Sequence, residues 1–186
     1  MKNDKEAMSD SPPGRLGVYF RKLKGHENAI RPPRVKTSYI FWSSAASFVG
    51  IFAVAALTIR AGAPMMIGSF GASAVLLYAA LEGPLSQPRN LIGGHVISAL
   101  TAVTVYQLFG RDEMTIALAV SISIAVMLWT RTLHPPGGAT ALIAVDTGQG
   151  YTFVLFPVLA GAFIMLIVAL AVNNLSEDRS YPRYWI

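Results

Sequence analysis

The possible chemistry of this chain concentrates in one decapeptide, Arg131-Thr132-Leu133-His134-Pro135-Pro136-Gly137-Gly138-Ala139-Thr140. The two prolines disfavour helix immediately before them and suit the first turn of a helix just after. Gly137 and Gly138 let another backbone or a ligand approach closely. A helix opening here would present unpaired N–H groups and the positive end of its dipole, which suits an anion. Thr140 could add a hydroxyl donor. His134 could donate to an anion when protonated or pass a proton on, because an imidazole titrates near neutral pH. The competing reading is a tight helical hairpin whose small residues serve packing alone.

A second copy of part of this pattern lies upstream. Gly71-Ala72-Ser73-Ala74-Val75-Leu76 recurs sixty-seven positions later as Gly138-Ala139-Thr140-Ala141-Leu142-Ile143, and the same offset carries Gly94 onto Gly161 and Ile97 onto Ile164. Duplicated units with interrupted apolar segments mark transporters that bind substrate near the membrane midplane. The candidate anion-binding set is therefore Ser69, Gly71, Ala72 and Ser73 from one copy, and His134, Gly137, Gly138, Ala139 and Thr140 from the other. His95 joins them as a candidate proton relay or, alternatively, as a neutral ring bonded to a neighbouring helix. Arg89 and Arg131 are candidates for gates that attract anions; the alternative for each is a polar turn at the membrane edge, and Arg131 stands close to His134. A metal site built from His95 and His134 is not expected, since no carboxylate adjoins either.

The elements that must position these residues are apolar. The chain has 186 residues, 53 % of them hydrophobic and 13 % charged, too little polar surface for an ordinary soluble domain. Runs at 38–59, 91–108, 114–130 and 151–172 approach or reach the ~20 helical residues that cross a bilayer. The third is short and would need thinning or burial. Two shorter pieces, 64–81 and 137–145, contain the repeated block. The expected fold is an all-α membrane protein of two pseudo-symmetric repeats, about 38–109 and 114–174, with four long transmembrane helices and two short broken or re-entrant ones. If the short pieces cross, each repeat has three passes and the second is inverted; if they only dip in, the repeats are parallel. Crossing would require the stretch 133–136 to pass as extended backbone, allowed only where protein or water satisfies its peptide groups.

The formal charge of +5 is uneven: residues 1–37 hold nine Lys or Arg against four Asp or Glu, and the remainder sums to zero. Such a tail beside the first span stays cytoplasmic, and an even number of passes returns residues 175–186 to the same side. Residues 1–14 read as disordered, 15–24 as a helix suited to an anionic leaflet, and Arg31-Pro32-Pro33-Arg34 as a stiff connector. Tyr39, Trp42, Trp129, Tyr151 and Trp185 stand where an interfacial aromatic belt would lie. The absence of Cys excludes disulfides and thiolate chemistry. Nucleic acid is a poor explanation for charge placed beside a membrane span, and no nucleotide motif suggests an ATP-driven pump.

His134-Pro135-Pro136-Gly137-Gly138-Ala139-Thr140-Ala141 resembles the signature of the HPP family of integral membrane proteins. So do Gly68-Ser69-Phe70-Gly71-Ala72-Ser73-Ala74 and Pro84-Leu85-Ser86-Gln87-Pro88-Arg89-Asn90 with Gly93-Gly94-His95. The resemblance covers about residues 38–174. It implies four transmembrane helices, the number usually given for the family, and membrane transport, since plant and cyanobacterial members are associated with nitrite. The expectation is a homo-oligomeric transporter or channel for a small anion such as nitrite. It would lie in a bacterial inner membrane with both termini cytoplasmic, without a cofactor and without enzymatic activity. The alternative is a non-transporting membrane scaffold whose Gly-rich segments serve helix packing.

Overall fold

The structure is a computed structural model and describes residues 15–23, 34–62 and 67–186. Every regular element among them is helical. The readings of 1–14 and of the Arg31–Arg34 connector up to Pro33 lie outside the described residues, as do positions 64–66 of the first short apolar piece. Helix α1, Arg15–Leu23, belongs to a unit of its own and exposes Leu16, Tyr19, Phe20 and Leu23.

The second unit begins at Val35. Helix α2 is Thr37–Ala61 and stops on Gly62, whose φ of 63° provides the left-handed cap. Helix α3, Ser69–Ala74, loosens into a π-helical turn, Val75–Ala79, and a 3-10 turn follows at Pro84–Ser86. Helix α4 is Pro88–Phe109 and α5 is Glu113–Trp129. Helix α6 is Pro135–Asp146, and α7, Ala160–Asn173, is preceded by a π-helical stretch, Val154–Leu159. Prolines occupy the first turns of α4 and α6, where their fixed φ is already helical and their missing N–H is no loss. Asp112 caps α5 by accepting the Thr115 backbone N–H at 2.6 Å. That bond holds the Asp112 carboxyl below its ordinary pKa, so the cap is lost only when pH falls through the lowered value.

Among the described residues three segments are long and apolar enough to cross a membrane: Thr37–Arg60, Pro88–Phe109 and Val154–Asn173. The third expected long run falls on α5, which at 17 residues is ~26 Å long and below that length. The last span is itself broken, since Phe156 has extended backbone (φ −145°, ψ 113°) just before Pro157.

Hydrogen bonds fix which helix ends meet. The Tyr39 hydroxyl near the start of α2 donates to the Ala79 carbonyl. Asn173 at the end of α7 donates to the Leu77 carbonyl. At the opposite end Arg111, in the α4–α5 link, bonds Asp146 at the end of α6 at 2.7 Å. Helix α6 starts beside the start of α4, where Asn90 Nδ2 donates to the Leu133 carbonyl at 2.8 Å. It therefore runs along α4 from one end of the bundle to the other. The core between these helices is rich in alanine, with Ala99, Ala102, Ala119, Ala141, Ala144, Ala162 and Ala169 fully buried, which lets backbones approach.

The segment entering α6 lies flat on α4 because α4 has no side chains there. A Cβ on Gly93 would come within 2.7 Å of Thr132 Cγ2, and one on Gly94 within 2.4 Å of His134 Cβ and 2.9 Å of the Thr132 carbonyl oxygen. A Cβ on Gly71 or Gly138 would meet nothing within 4 Å. Gly94→Ala should therefore cost at least the ~1–3 kcal/mol typical of overpacking. Gly138→Ala should be neutral or slightly stabilising, because Ala is the better helix former. Thermal unfolding of the two variants in one detergent checks the contrast, with Gly94→Ala alone expected to melt several degrees lower.

Candidate functional site

Helix α3 carries Ser69 and Ser73, α4 carries His95, and α6 carries Thr140 with His134 as its N-cap. All five side chains are buried and meet in one hydrogen-bonded chain. Ser73 Oγ lies 2.7 Å from His95 Nε2 and 2.9 Å from His134 Nε2. His95 Nδ1 lies 2.8 Å from Thr140 Oγ1, which is 2.9 Å from Ser69 Oγ and 3.3 Å from the Pro136 carbonyl oxygen. His134 Nδ1 lies 2.9 Å from the Leu85 carbonyl oxygen. The imidazole rings are 5.0 Å apart, and Phe70 packs edge-on against His95 at 5.4 Å. His95 stands seven residues inside α4, ~10 Å from its first residue along the axis.

A carbonyl can only accept, so His134 carries its proton on Nδ1 when neutral and accepts at Nε2 from the Ser73 hydroxyl. Ser73 has one hydrogen, so it must accept from His95 Nε2–H. The neutral His95 then accepts at Nδ1 from Thr140. Thr140 is also the donor toward Ser69 Oγ, and its one hydrogen cannot serve both, so in this neutral form the Thr140–Ser69 contact lacks its hydrogen.

The other candidates are placed differently. Pro135 and Pro136 have no N–H, and the Gly137 N–H is used by the His134 carbonyl at 2.8 Å, so the first turn of α6 offers a ligand no free donor from these three residues. Gly137 serves close packing on α4, since a Cβ there would sit 2.7 Å from Ser98 Oγ and 2.9 Å from the Gly94 carbonyl oxygen. Gly71, Ala72 and Ala139 are exposed and Gly138 is half-buried. Ala72 and Ala139 line an apolar groove of about 410 Å³ together with Val75, Leu76, Pro135 and Pro136. Arg89 donates to the Thr130 carbonyl at 2.8 Å, holding the α5–α6 link to α4, and Arg131 is exposed with φ at 57°.

Sequence reasoning missed the C-terminal segment. The guanidinium of Arg179 is buried, stacks 4.7 Å from the centre of the Tyr39 ring, and donates to Ser43 Oγ, to the Tyr39 and Tyr78 carbonyls and to Asn173 Oδ1. Burial lowers its pKa, though an arginine stays charged. Next to it the Tyr181 hydroxyl donates to the Ser86 carbonyl, and the Arg183 N–H donates to Gln87 Oε1. The available signal was Asn173-Asn174 and Arg179 at the end of the last apolar run, polar residues where a free tail needs none. Arg179→Ala would strip donors from the Tyr78 carbonyl and Asn173, at about 1–3 kcal/mol for each buried group left unsatisfied. A large fall in melting temperature is expected, beside a small one for the exposed Arg183→Ala.

The HPP transmembrane-region family model matches residues 32–182 of the chain. Two proteins of Dictyostelium discoideum, each described as a transmembrane protein, are 45 % and 41 % identical to it over 179 residues. Those matches cover 90 % of this chain but only 63 % and 57 % of the relatives, so the chain spans about three fifths of their length. No solved structure matches. A hit over nearly the whole helical unit, with spans long enough to cross a bilayer, makes the chain a member of the HPP family of integral membrane proteins.

Proposed function

We propose that the protein carries a small inorganic anion, nitrite-like in size and charge, across the membrane through the buried cluster where α3 and α6 converge on His95. One observation carries the reading: the hydroxyls on the two nitrogens of His95 belong to Ser73 and Thr140, which stand sixty-seven positions apart in the duplicated block. The site is thus built from equivalent positions of two repeats around one central ring.

Further features support two inverted repeats. The offset carries Ser69–Ala79 onto 136–146, against an observed α6 of Pro135–Asp146. It carries Pro88–Phe109 onto 155–176, against Val154–Asn173. Helix α2 packs on α7 as α5 packs on α4. On this reading the chain makes six passes, the two short helices completing theirs with extended backbone, and both tails lie on the basic, cytoplasmic side. Donors to the anion come from Ser69, Ser73, Thr140 and the two imidazoles rather than from the first turn of α6. Arg89 and Arg131 stand at the mouth, and the exposed apolar grooves suit self-association with one pathway per protomer.

A specific observation favours a second reading, a static polar pin in a scaffold protein, because the five side chains of the cluster are buried and bonded to one another. Flux separates the two. In liposomes carrying the purified protein, Thr140→Val and Ser73→Ala should each slow nitrite entry about tenfold, the size of one lost hydrogen bond of ~1.4 kcal/mol. Wild-type rates in both variants, with folding intact, would leave the cluster as packing only.

A further inference from the structure

The cluster in its neutral form has no positive charge to offer an anion, and that shapes what must accompany the anion. We propose that the Ser69–Thr140–His95–Ser73–His134 chain is a proton switch that admits the anion only together with one proton, so that transport is electroneutral. The inference rests on the reading of this cluster as the transport site.

The polarity of the chain is set from one end. The Leu85 carbonyl fixes the His134 proton on Nδ1, and the later bonds follow, ending with Thr140 giving its one hydrogen to His95 Nδ1 rather than to Ser69. His134 cannot take a proton at Nε2 without losing the hydrogen bond from Ser73. His95 can take one at Nδ1 by turning a single hydroxyl. Thr140 then accepts from the new N–H, and its own hydrogen turns to Ser69 Oγ or to the Pro136 carbonyl, both already within reach at 2.9 and 3.3 Å. Ser69 then accepts from Thr140, and its own hydrogen is left for an anion. One proton therefore puts a positive charge at the centre of the site and gives every contact of the chain its hydrogen.

No other group in the cluster can supply that charge. Helix α3 presents Ser69, Phe70 and Ser73 to the site, and its π turn presents Tyr78, whose hydroxyl is committed to the Met165 carbonyl. Helix α4 presents His95 and Ser98, α5 presents Met127, and α6 and its entry present His134 and Thr140. The 81–87 turn presents the Leu85 carbonyl and Gln87, which is bonded to Leu81 and Gly83. The guanidinium groups of Arg89 and Arg179 are engaged elsewhere, Arg89 by the Thr130 carbonyl and Arg179 by the Tyr78 carbonyl. Among the described residues no carboxylate, lysine or arginine bonds to the chain. An anion entering a neutral, desolvated site without a counter-charge would face a prohibitive Born cost. The proton comes from a hydronium or nitrous-acid O–H bond on the entry side, which breaks as the His95 Nδ1–H bond forms, and it returns to oxygen with the anion on the other side.

The test uses the full-length protein in liposomes loaded with a pH dye, with the membrane potential clamped by potassium and valinomycin. Nitrite is the probe, and the leak of nitrous acid through protein-free vesicles is subtracted. The expected result is entry that acidifies the lumen by one proton per nitrite, at a rate unchanged when the potential is reversed. His95→Gln, which keeps a donor and an acceptor but cannot hold the extra proton, should lower the coupled flux at least about tenfold. Should that variant not fold, Ser69→Ala serves: it should raise the half-saturating nitrite concentration several-fold while still moving one proton per anion. Protein-dependent nitrite flux that follows the potential and leaves the dye unchanged overturns the proton switch but keeps the transport reading. Coupled flux at the wild-type rate in folded His95→Gln also overturns the switch. No protein-dependent flux of any small anion overturns the transport reading beneath it.

Discussion

Backbone that leaves helical geometry inside a bilayer must find its hydrogen bonds within the protein, because hydrocarbon offers none. Much of this structure follows from that constraint. The chain breaks twice next to the cluster, at the end of α3 and on entry to α6. At the first break the carbonyls of five successive residues, 77–81, are taken by Asn173, Arg179, Tyr39, Ser86 and Gln87 in turn. At the second, Arg89 takes the Thr130 carbonyl and Asn90 the Leu133 carbonyl, while Gly93 and Gly94 clear the surface on which the segment lies. The C-terminal segment is part of this scheme rather than an appendage, since Arg179 ties the starts and ends of three helices at once.

Satisfied breaks give the site its rigidity. Because α3 and α6 stop or start inside the protein, their side chains point at one another across α4 rather than sliding past, and His95 is held by hydroxyls from both. The result is a polar centre without fixed charge in an apolar, alanine-rich surround. A permanent cation there would bind an anion too firmly to release it, while a neutral amide could not compensate its charge. An imidazole can alternate between the two conditions, and conduction needs binding that is reversible.

The sequence was most legible where covalent geometry dictates local structure. Pro135-Pro136 announced the start of α6, and the sixty-seven-residue offset aligns the sequence of α3 with that of α6, which is how Ser73 and Thr140 could be singled out together. The same prolines hid a consequence: by lacking N–H groups they deny α6 the backbone donors that a helix start normally offers. His95, Ser73 and Thr140 were each visible, but their bonding to one another was not, because they come from elements far apart in the chain. Arg179 escaped notice because two of its four acceptors are backbone carbonyls, which carry no sequence signature, and the others lie on α2 and α7. Gly93 and Gly94 were legible as a motif, yet their reason, the close passage of residues 132–134, exists only in the folded chain. The break at Phe156 was signalled only by Pro157 within an otherwise unbroken apolar run.

The central claim is that one of two buried imidazoles changes its proton count when an anion enters. Nitrogen-15 spectra of histidine-labelled protein in bilayers read this directly, with His26 replaced by Asn so that only two rings report. Without anion, at neutral pH, the account predicts two neutral rings in opposite tautomers, His134 protonated at Nδ1 and His95 at Nε2. With saturating nitrite, one ring, assigned to His95, should become an imidazolium while His134 keeps its tautomer. Two rings in the same tautomer, or spectra that nitrite leaves unchanged in protein that transports it, would contradict the account.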